Sequence, residues 1–253
     1  MQARPHILVV DDESQITRVL RTTLSAQGYE IRVANDGETA LEIVRDFAPD
    51  LVITDLAMPN MNGIELCRNL RRASQVPILV LSVRGEERSK VEALDSGADD
   101  YITKPFSTRE LIARIRTAVR RVHAPARAED APIEIGEIRL NPSKRSVTRR
   151  GLAVHLTRKE YDILYTMMSR AGRVVSYAKL LTAVWGADCR EEVEYLRTFI
   201  RQLRKKIEDD PSNPVYLLTD VYVGYRFADT QMLQAEPAEG AAEGREELSE
   251  NAL

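Results

Sequence analysis

The chain has 253 residues, 43% apolar and 30% charged, which allows about two packed domains; no apolar run approaches the roughly 20 residues of a bilayer span or the core of a signal peptide, so a soluble, cytoplasmic protein with no membrane contact is expected. Cys67 and Cys189 lie far apart without a Cys-x-x-Cys, and His6, His123 and His155 are isolated, so a disulfide framework, a zinc site and a histidine nucleophile are excluded. The net charge of −3 conceals a basic stretch at 133–227 (net +5), a near-neutral one before it (net −2) and an acidic tail at 228–253 (net −6), a distribution that directs nucleic acid to the middle stretch.

In chain order, His6 to Val10 is a continuous β-branched and apolar run, hence a strand buried on both faces, and Asp11-Asp12 follows it. Ser14 suits a helix cap, with Ile16, Val19, Leu20 and Leu24 at helical spacing behind it. Glu30–Ala34 reads as a second strand and Gly37–Phe47 as a second helix. Leu51-Val52-Ile53-Thr54-Asp55 is a third strand ending in a carboxylate, and a helix from about Asn62 buries Ile64, Leu66 or Cys67, and Leu70. Residues 77–82 form a fourth strand, a helix carrying Val91 and Leu94 follows, 100–103 is a short fifth strand, and a helix runs from about 107 to 122. Five strand–helix repeats with short connections require a parallel sheet covered on both faces.

Asp55 alone reads as a carboxylate capping a strand. A parallel sheet, however, brings Asp11 and Asp12, Asp55, Ser82 and Lys104 to one edge, the edge where open α/β sheets bind ligands. Three neighbouring carboxylates repel unless a hard cation such as Mg²⁺ joins them, and Lys104 and Ser82 can then hold phosphoryl oxygens. With Met58-Pro59 and Lys104-Pro105-Phe106, these positions resemble the receiver domains of two-component response regulators over about residues 5–122. The resemblance implies a (βα)5 doubly wound α/β fold in which Asp55 accepts a phosphoryl group from a sensor histidine kinase. It also implies Mg²⁺ on Asp12, Asp55 and the Ala57 carbonyl with Asp11 behind them, a cis peptide before Pro105, and Tyr101 as an aromatic switch coupled to Ser82. Val83 departs from the family, which usually has a smaller residue there.

Residues 123–132, with two prolines and four alanines, read as a linker. Short strands at 138–140, 146–148 and 153–155 precede Thr157-Arg158-Lys159-Glu160, a capping-box start. Its helix places Tyr161, Leu164, Tyr165 and Met168 on one face, and Ser176 caps another helix with Leu180, Leu181, Val184 and Trp185. A helix at 192–207 carries Leu196, Phe199, Ile200, Leu203 and Ile207 on one stripe, with Arg197, Thr198, Arg201, Arg204 and Lys205 on or beside the adjoining face. Such a helix fits a major groove, where it meets bases and phosphates. Residues 216–219 and Gly224-Tyr225-Arg226-Phe227 look like a closing hairpin.

Residues 133–227 resemble the winged-helix (helix-turn-helix) domain of the OmpR/PhoB class, through Leu156 to Tyr161, Val184-Trp185-Gly186, Leu203 to Ile207 and Gly224 to Phe227. The Glu194-Tyr195-Leu196-Arg197 and Leu81-Ser82-Val83-Arg84 stretches are most similar to a subgroup that regulates potassium-transport operons. Where many members carry Arg-Gly in the wing, this chain has Val221-Tyr222, a departure that leaves the minor-groove contact of the wing arginine open, with Tyr222 the candidate to replace it and Arg226 a further candidate DNA contact. The resemblance implies double-stranded promoter DNA as ligand, a contact at 185–191 with RNA polymerase or a neighbouring DNA-binding domain, and a phosphorylation-dependent homodimer through Lys90, Asp99, Asp100, Glu110 and Arg114. In the helix before the linker, Leu111, Ile115, Val119 and Val122 are expected inside and Glu110, Arg114 and Arg121 outside. The alternatives are a haloacid-dehalogenase-type phosphatase, whose Asp-x-Asp belongs on the first strand, and a receiver acting through protein contacts alone, which the basic helix opposes. The expected protein is therefore a DNA-binding regulator and not an enzyme, apart from phosphorylation and slow dephosphorylation of its own Asp55. The tail at 228–253, poor in apolar residues beyond alanine, is expected to be disordered.

Overall fold

The computed structural model describes residues 4–83, 87–123, 131–186 and 193–234, without the side chains of 87–88 and 121–123. β1 (His6–Val10) buries Ile7 through Val10 completely, as a strand covered on both faces must. It is followed by α1 (Ser14–Ala26), β2 (Glu30–Ala34), α2 (Gly37–Phe47), β3 (Leu51–Asp55), α3 (Gly63–Ala73), β4 (Ile78–Val83), α4 (Glu87–Asp95), β5 (Asp100–Lys104) and α5 (Thr108–His123). All five strands are parallel, in the order β2-β1-β3-β4-β5, which is the doubly wound arrangement expected. The order reverses between β1 and β3, so the crevice at their carboxyl ends lies beside Asp11 and Asp55.

Local chemistry sets the helix starts. Asp36 accepts from Thr39 N at 2.8 Å and Asn62 from Glu65 N at 2.9 Å, side-chain caps for α2 and α3. Ser14 does not cap α1: the cap position is Glu13, with no side-chain cap bond, and Asp11 Oδ1 accepts from Glu13 N at 2.9 Å instead. On the same helix Val19 is 60% exposed, against expectation, while Thr17 is buried. A buried threonine is tolerable here because its hydroxyl donates back to the Ser14 carbonyl at 3.1 Å.

The second module opens with β6 (Ile133–Ile135), β7 (Ile138–Asn141), β8 (Ser146–Arg149) and β9 (Leu152–Val154), an antiparallel four-stranded sheet. Then come α6 (Arg158–Met168), β10 (Val174–Ser176), α7 (Tyr177–Trp185), α8 (Val193–Ile207), β11 (Leu217–Asp220), β12 (Gly224–Phe227) and α9 (Thr230–Gln234). Thr157 and Glu160 form the capping box of α6, and Ser176 caps α7. The α8 stripe of Leu196, Phe199, Ile200, Leu203 and Ile207 is buried as expected, each side chain contributing roughly 2 kcal/mol of transfer free energy. β11 and β12 form the wing in a sheet ordered β10-β12-β11, and Glu208 fixes its base by accepting from Val215 N, Tyr216 N and Leu217 N at 3.0, 3.0 and 2.8 Å. The tail is ordered at its start: Ala228 is buried and 230–234 are helical, because Leu233 packs on the module's core. Residues 124–130 of the linker and 235–253 of the tail lie outside the described residues.

The two modules share packing. Leu94 and Tyr101 of the first belong to the same connected cluster of buried side chains as Trp185, Tyr195 and Phe199 of the second.

Candidate functional site

The exits of β1, β3 and β5 converge on one ammonium group. Lys104 Nζ donates to Asp55 Oδ1 at 2.6 Å and to Asp11 Oδ2 at 3.0 Å. The second Asp55 oxygen accepts from Ala57 N at 2.7 Å, so the carboxylate is held at both ends. Asp11, Asp55 and Ser82 are all buried, and Asp12 is exposed at the rim. Burial pushes Asp11 up, against its bonds from Lys104 and Glu13 N. Burial alone would lower Lys104, but the Asp55 and Asp11 carboxylates outweigh it and hold the ammonium above its ordinary range. The Lys104–Pro105 peptide is cis.

This geometry corrects one step of the sequence argument. Asp11 and Asp55 need no divalent ion in order to coexist, because Lys104 lies between them and Asp12 turns outward. Among the described residues no three His, Cys, Asp or Glu side chains are gathered into a metal-holding cluster. The residue types still suit a hard cation: the carboxylates of Asp12 and Asp55 with the Ala57 carbonyl in the adjoining loop, and Asp11 behind them, are oxygen donors of the kind that Mg²⁺ prefers.

Around the edge, Tyr101 is buried, and Lys90 Nζ lies over its ring at 5.6 Å and over that of Tyr195 at 5.4 Å. Two residues assigned to an exposed pairing face are not exposed. Asp99 is internal: it pairs with Arg71 and accepts from Ile78 N at 2.9 Å, and burial pushes its carboxyl up. Arg114 does not face solvent either. It is 9% exposed, bonded to Asp100 Oδ1 at 2.8 Å and Glu110 Oε1 at 3.1 Å. Both lie against Trp185 of the second module, which the sequence around them does not reveal. Leu111, Ile115 and Val119 are buried as expected, and the side chains of Arg121 and Val122 lie outside the described residues.

On the second module the basic positions divide by surroundings. Arg197 and Lys205 are exposed, the former paired with Glu194. Arg201 is exposed but grips Asp95 of α4. Thr198 is buried and donates to the Glu194 carbonyl at 3.3 Å. Arg204 braces the wing, donating to the Leu217 carbonyl at 2.7 Å and to Thr219 Oγ1 at 2.7 Å, and burial lowers its pKa. Arg226 pairs with Asp220 across the hairpin at 2.6 Å. Tyr222 is 95% exposed at the wing tip, between exposed Val221 and Val223. Residues 187–191 of the loop assigned to RNA polymerase lie outside the described residues. Asp95 and Gln202, which join the modules with Trp185 and Tyr195, carried no functional signal in the sequence; Trp185 read as core and as the start of the loop at 185–191, and Tyr195 as part of a motif.

Comparison with known proteins agrees with this division. Two family models match, the response regulator receiver domain over residues 7–116 and the C-terminal domain of transcriptional regulatory proteins over residues 151–227. The chain is 44% identical to the transcriptional regulatory protein KdpE of Mycobacterium tuberculosis over 221 residues, covering 87% of this chain and 98% of the relative. It is 40% identical to the KDP operon transcriptional regulatory protein KdpE of Escherichia coli K12 over 222 residues, covering 88% and 98%. Among solved structures, two mutant forms of RitR superpose with TM-scores of 0.73 and 0.72 at 25% identity, covering 89% of this chain and 99% of theirs.

Proposed function

The chain belongs to the response regulators that join a receiver to a C-terminal transcriptional regulatory domain, and on that footing we propose that Asp55 is the residue that takes up the phosphoryl group. It is a KdpE-like two-component regulator with DNA-binding output, served by a sensor kinase and acting on promoter DNA. No helix among the described residues is long and apolar enough to cross a membrane. Cytoplasmic placement is part of the proposal, because kinase transmitter and promoter must both be reached.

The observation that carries the proposal is the Lys104 ammonium bonded at once to Asp55 and Asp11. An Asp55 carboxylate oxygen attacks the phosphorus of the kinase's phosphohistidine, the P–N bond breaks as the new P–O bond forms, and the imidazole leaves. Lys104 moves from the carboxylate toward the transferring oxygens, Ala57 N–H holds the aspartyl end, and Ser82 donates to a phosphoryl oxygen. The gain is positioning and charge neutralisation. Asp12, Asp55 and the Ala57 carbonyl would hold Mg²⁺, with Asp11 behind them, and the ion when bound supplies further positive charge against the phosphoryl oxygens. The acyl phosphate is later hydrolysed, and no other substrate is turned over. Phosphorylation with a small acyl-phosphate donor and Mg²⁺, followed by peptide mapping, should place the label on the peptide containing Asp55. Label on another carboxylate, or none, refutes the assignment.

Val83 is 66% exposed at the end of β4, next to Ser82. Val83→Ala should accelerate phosphorylation by small donors roughly two- to fivefold, the effect of removing up to about 1 kcal/mol of steric barrier. Equal rates in a Mg²⁺-dependent assay would remove that role for Val83.

For DNA, the reading is α8 in the major groove with Arg197, Arg201 and Lys205 directed at it, and the wing beside it; pairing of receivers and an RNA polymerase contact complete the proposal. Tyr222 holds φ at +65°, a left-handed conformation that costs a non-glycine residue roughly 1–2 kcal/mol. The three-residue turn that closes the β11–β12 hairpin imposes this conformation, with Val223 N donating to the Asp220 carbonyl at 3.1 Å, and it leaves the Tyr222 ring exposed where a duplex would meet it. Tyr222→Gly should therefore leave the melting temperature of the module unchanged or higher, while weakening duplex binding several-fold in a gel shift. Undiminished affinity would show that the wing tip is not a contact.

A further inference from the structure

α8 and the wing meet at Leu217, where two residues one helical turn apart take hold of the strand. Glu208, just past α8, accepts from Leu217 N at 2.8 Å and from Val215 N and Tyr216 N beside it. Arg204 takes the other end of the same residue. Its Nε and Nη2 donate to the Leu217 carbonyl at 3.0 and 2.7 Å, and Nη2 also donates to Thr219 Oγ1 at 2.7 Å. The two residues that Arg204 grips sit differently in the hairpin. Leu217 is fully buried and pairs with fully buried Phe227, whereas Thr219 is exposed, as are Val221, Tyr222 and Val223 at the turn. Core packing therefore fixes the base of the wing and leaves its outer half to polar ties. The Asp220–Arg226 pair joins the strands of the hairpin to each other; the bond from Arg204 to Thr219 joins the hairpin to α8.

We propose that Arg204 is a positioning residue for DNA recognition, holding the outer half of the wing at a fixed angle to α8 so that Tyr222 meets a duplex while α8 lies in its groove; the role rests on reading α8 and the wing tip as the DNA-contacting elements. Arg204 is half-buried where Arg197 and Lys205 are exposed, and its fork is spent inside the module. A guanidinium suits the task, because its donors lie in one rigid plane and can reach acceptors on alternate residues of a strand. Leverage makes the angle matter. From Leu217 to Asp220 the strand advances about 3.3 Å per residue, so the turn begins roughly 10 Å beyond the grip. A small tilt at Leu217 becomes, at Tyr222, a displacement larger than hydrogen-bond geometry tolerates.

A double-mutant cycle between Arg204 and Tyr222 tests this, in the full chain, on a duplex that the wild type has selected from a random-sequence pool. Arg204→Met keeps the apolar stem and removes the fork. Should it melt far below the wild type, Arg204→Lys, which keeps the charge but loses the planar fork, carries the same cycle. The Arg204 variant should bind about tenfold more weakly, the tip contact and the ordering of the hairpin being lost together. Tyr222→Gly should cost several-fold in the wild type and less than about twofold in the Arg204 variant, because a wing no longer aimed has no tip contact left to lose. In Arg204→Met the slope of log affinity on log salt should keep its wild-type value, whereas loss of a phosphate contact would reduce it by about one. Unchanged affinity overturns the proposal. So does an equal Tyr222 cost in both backgrounds, which shows that Arg204 does not aim the wing, and so does a reduced slope, which places Arg204 on a phosphate. If Tyr222→Gly costs nothing in the wild type, or selection yields no duplex, the DNA-contacting reading itself fails and the positioning role falls with it; a Tyr222 cost that is present but additive refutes the positioning role alone.

Discussion

Asp55→Asn is expected to abolish phosphoryl transfer completely and, with it, every donor-dependent change in pairing and DNA affinity. The carboxamide is isosteric and still offers an oxygen to Ala57 N–H, whose bond to Asp55 is 2.7 Å, so the loop keeps its anchor. Lys104 retains Asp11 at 3.0 Å and stays compensated. What disappears is the anionic nucleophile, and no neighbouring carboxylate replaces it: Asp11 is turned to Lys104 and Glu13 N, and Asp12 faces outward. The fold should survive, with a melting temperature close to that of the wild type. The functional loss is total because activation is a matter of populations: carrying a two-state equilibrium from 1:99 to 99:1 takes about 5.5 kcal/mol of differential stabilisation, and without an acyl phosphate the donor supplies none. Sedimentation and gel shifts with and without a small acyl-phosphate donor check this. If Asp55→Asn still pairs or binds DNA more tightly when the donor is added, the chemistry resides elsewhere.

The convergence of the residues proposed for this chemistry was legible in the sequence because they lie at strand ends, and strand ends are set by local apolar runs. Ile7 to Val10 and Leu51 to Ile53 announce buried strands, and parallel order then brings Asp11, Asp55 and Lys104 together without further information. The α8 stripe was legible for the same reason, since 3.6-residue spacing is local. Short edge elements were not: β6 and β10 have three residues each, too few to show alternation, and their pairing comes from β7 and β12. Charged residues whose partners are remote in the chain were misread. Asp99 looked like a surface charge because Arg71 is 28 positions away; Arg114 looked exposed because the module that covers it begins beyond the linker. The Arg201–Asp95 pair spans 106 positions, and neither residue is unusual by itself. Sequence periodicity says which side of a helix is buried within its own domain, but not which other domain lies against the remaining side.

Gly63→Ala should damage both fold and chemistry, unlike Asp55→Asn. Gly63 opens α3 directly beneath Asp55, the proposed phosphoacceptor. A Cβ there would lie 2.1 Å from the Asp55 carbonyl oxygen, 2.9 Å from Leu56 Cα and 3.0 Å from the Asp55 carbonyl carbon. All three are backbone atoms, so no flexible side chain can yield. Gly63 N also donates to the Leu56 carbonyl at 3.0 Å, which pins the close approach. Alanine must therefore either lift the start of α3 or displace the end of β3. Overpacking a tight site costs roughly 1–3 kcal/mol, and here the loss should fall in the upper half of that range because the backbone itself must move. In the molecules that remain folded, Asp55 is no longer seated between Lys104 and Ala57 N–H, and a displacement of about 1 Å at a reacting group costs on the order of 100-fold in rate. The second module should be spared: its duplex binding should be no weaker than that of the unphosphorylated wild type. Thermal melting, the rate of labelling by a small acyl-phosphate donor, and a gel shift on the same preparation separate these effects. Wild-type melting together with wild-type labelling would show that the glycine seat under Asp55 does not position it.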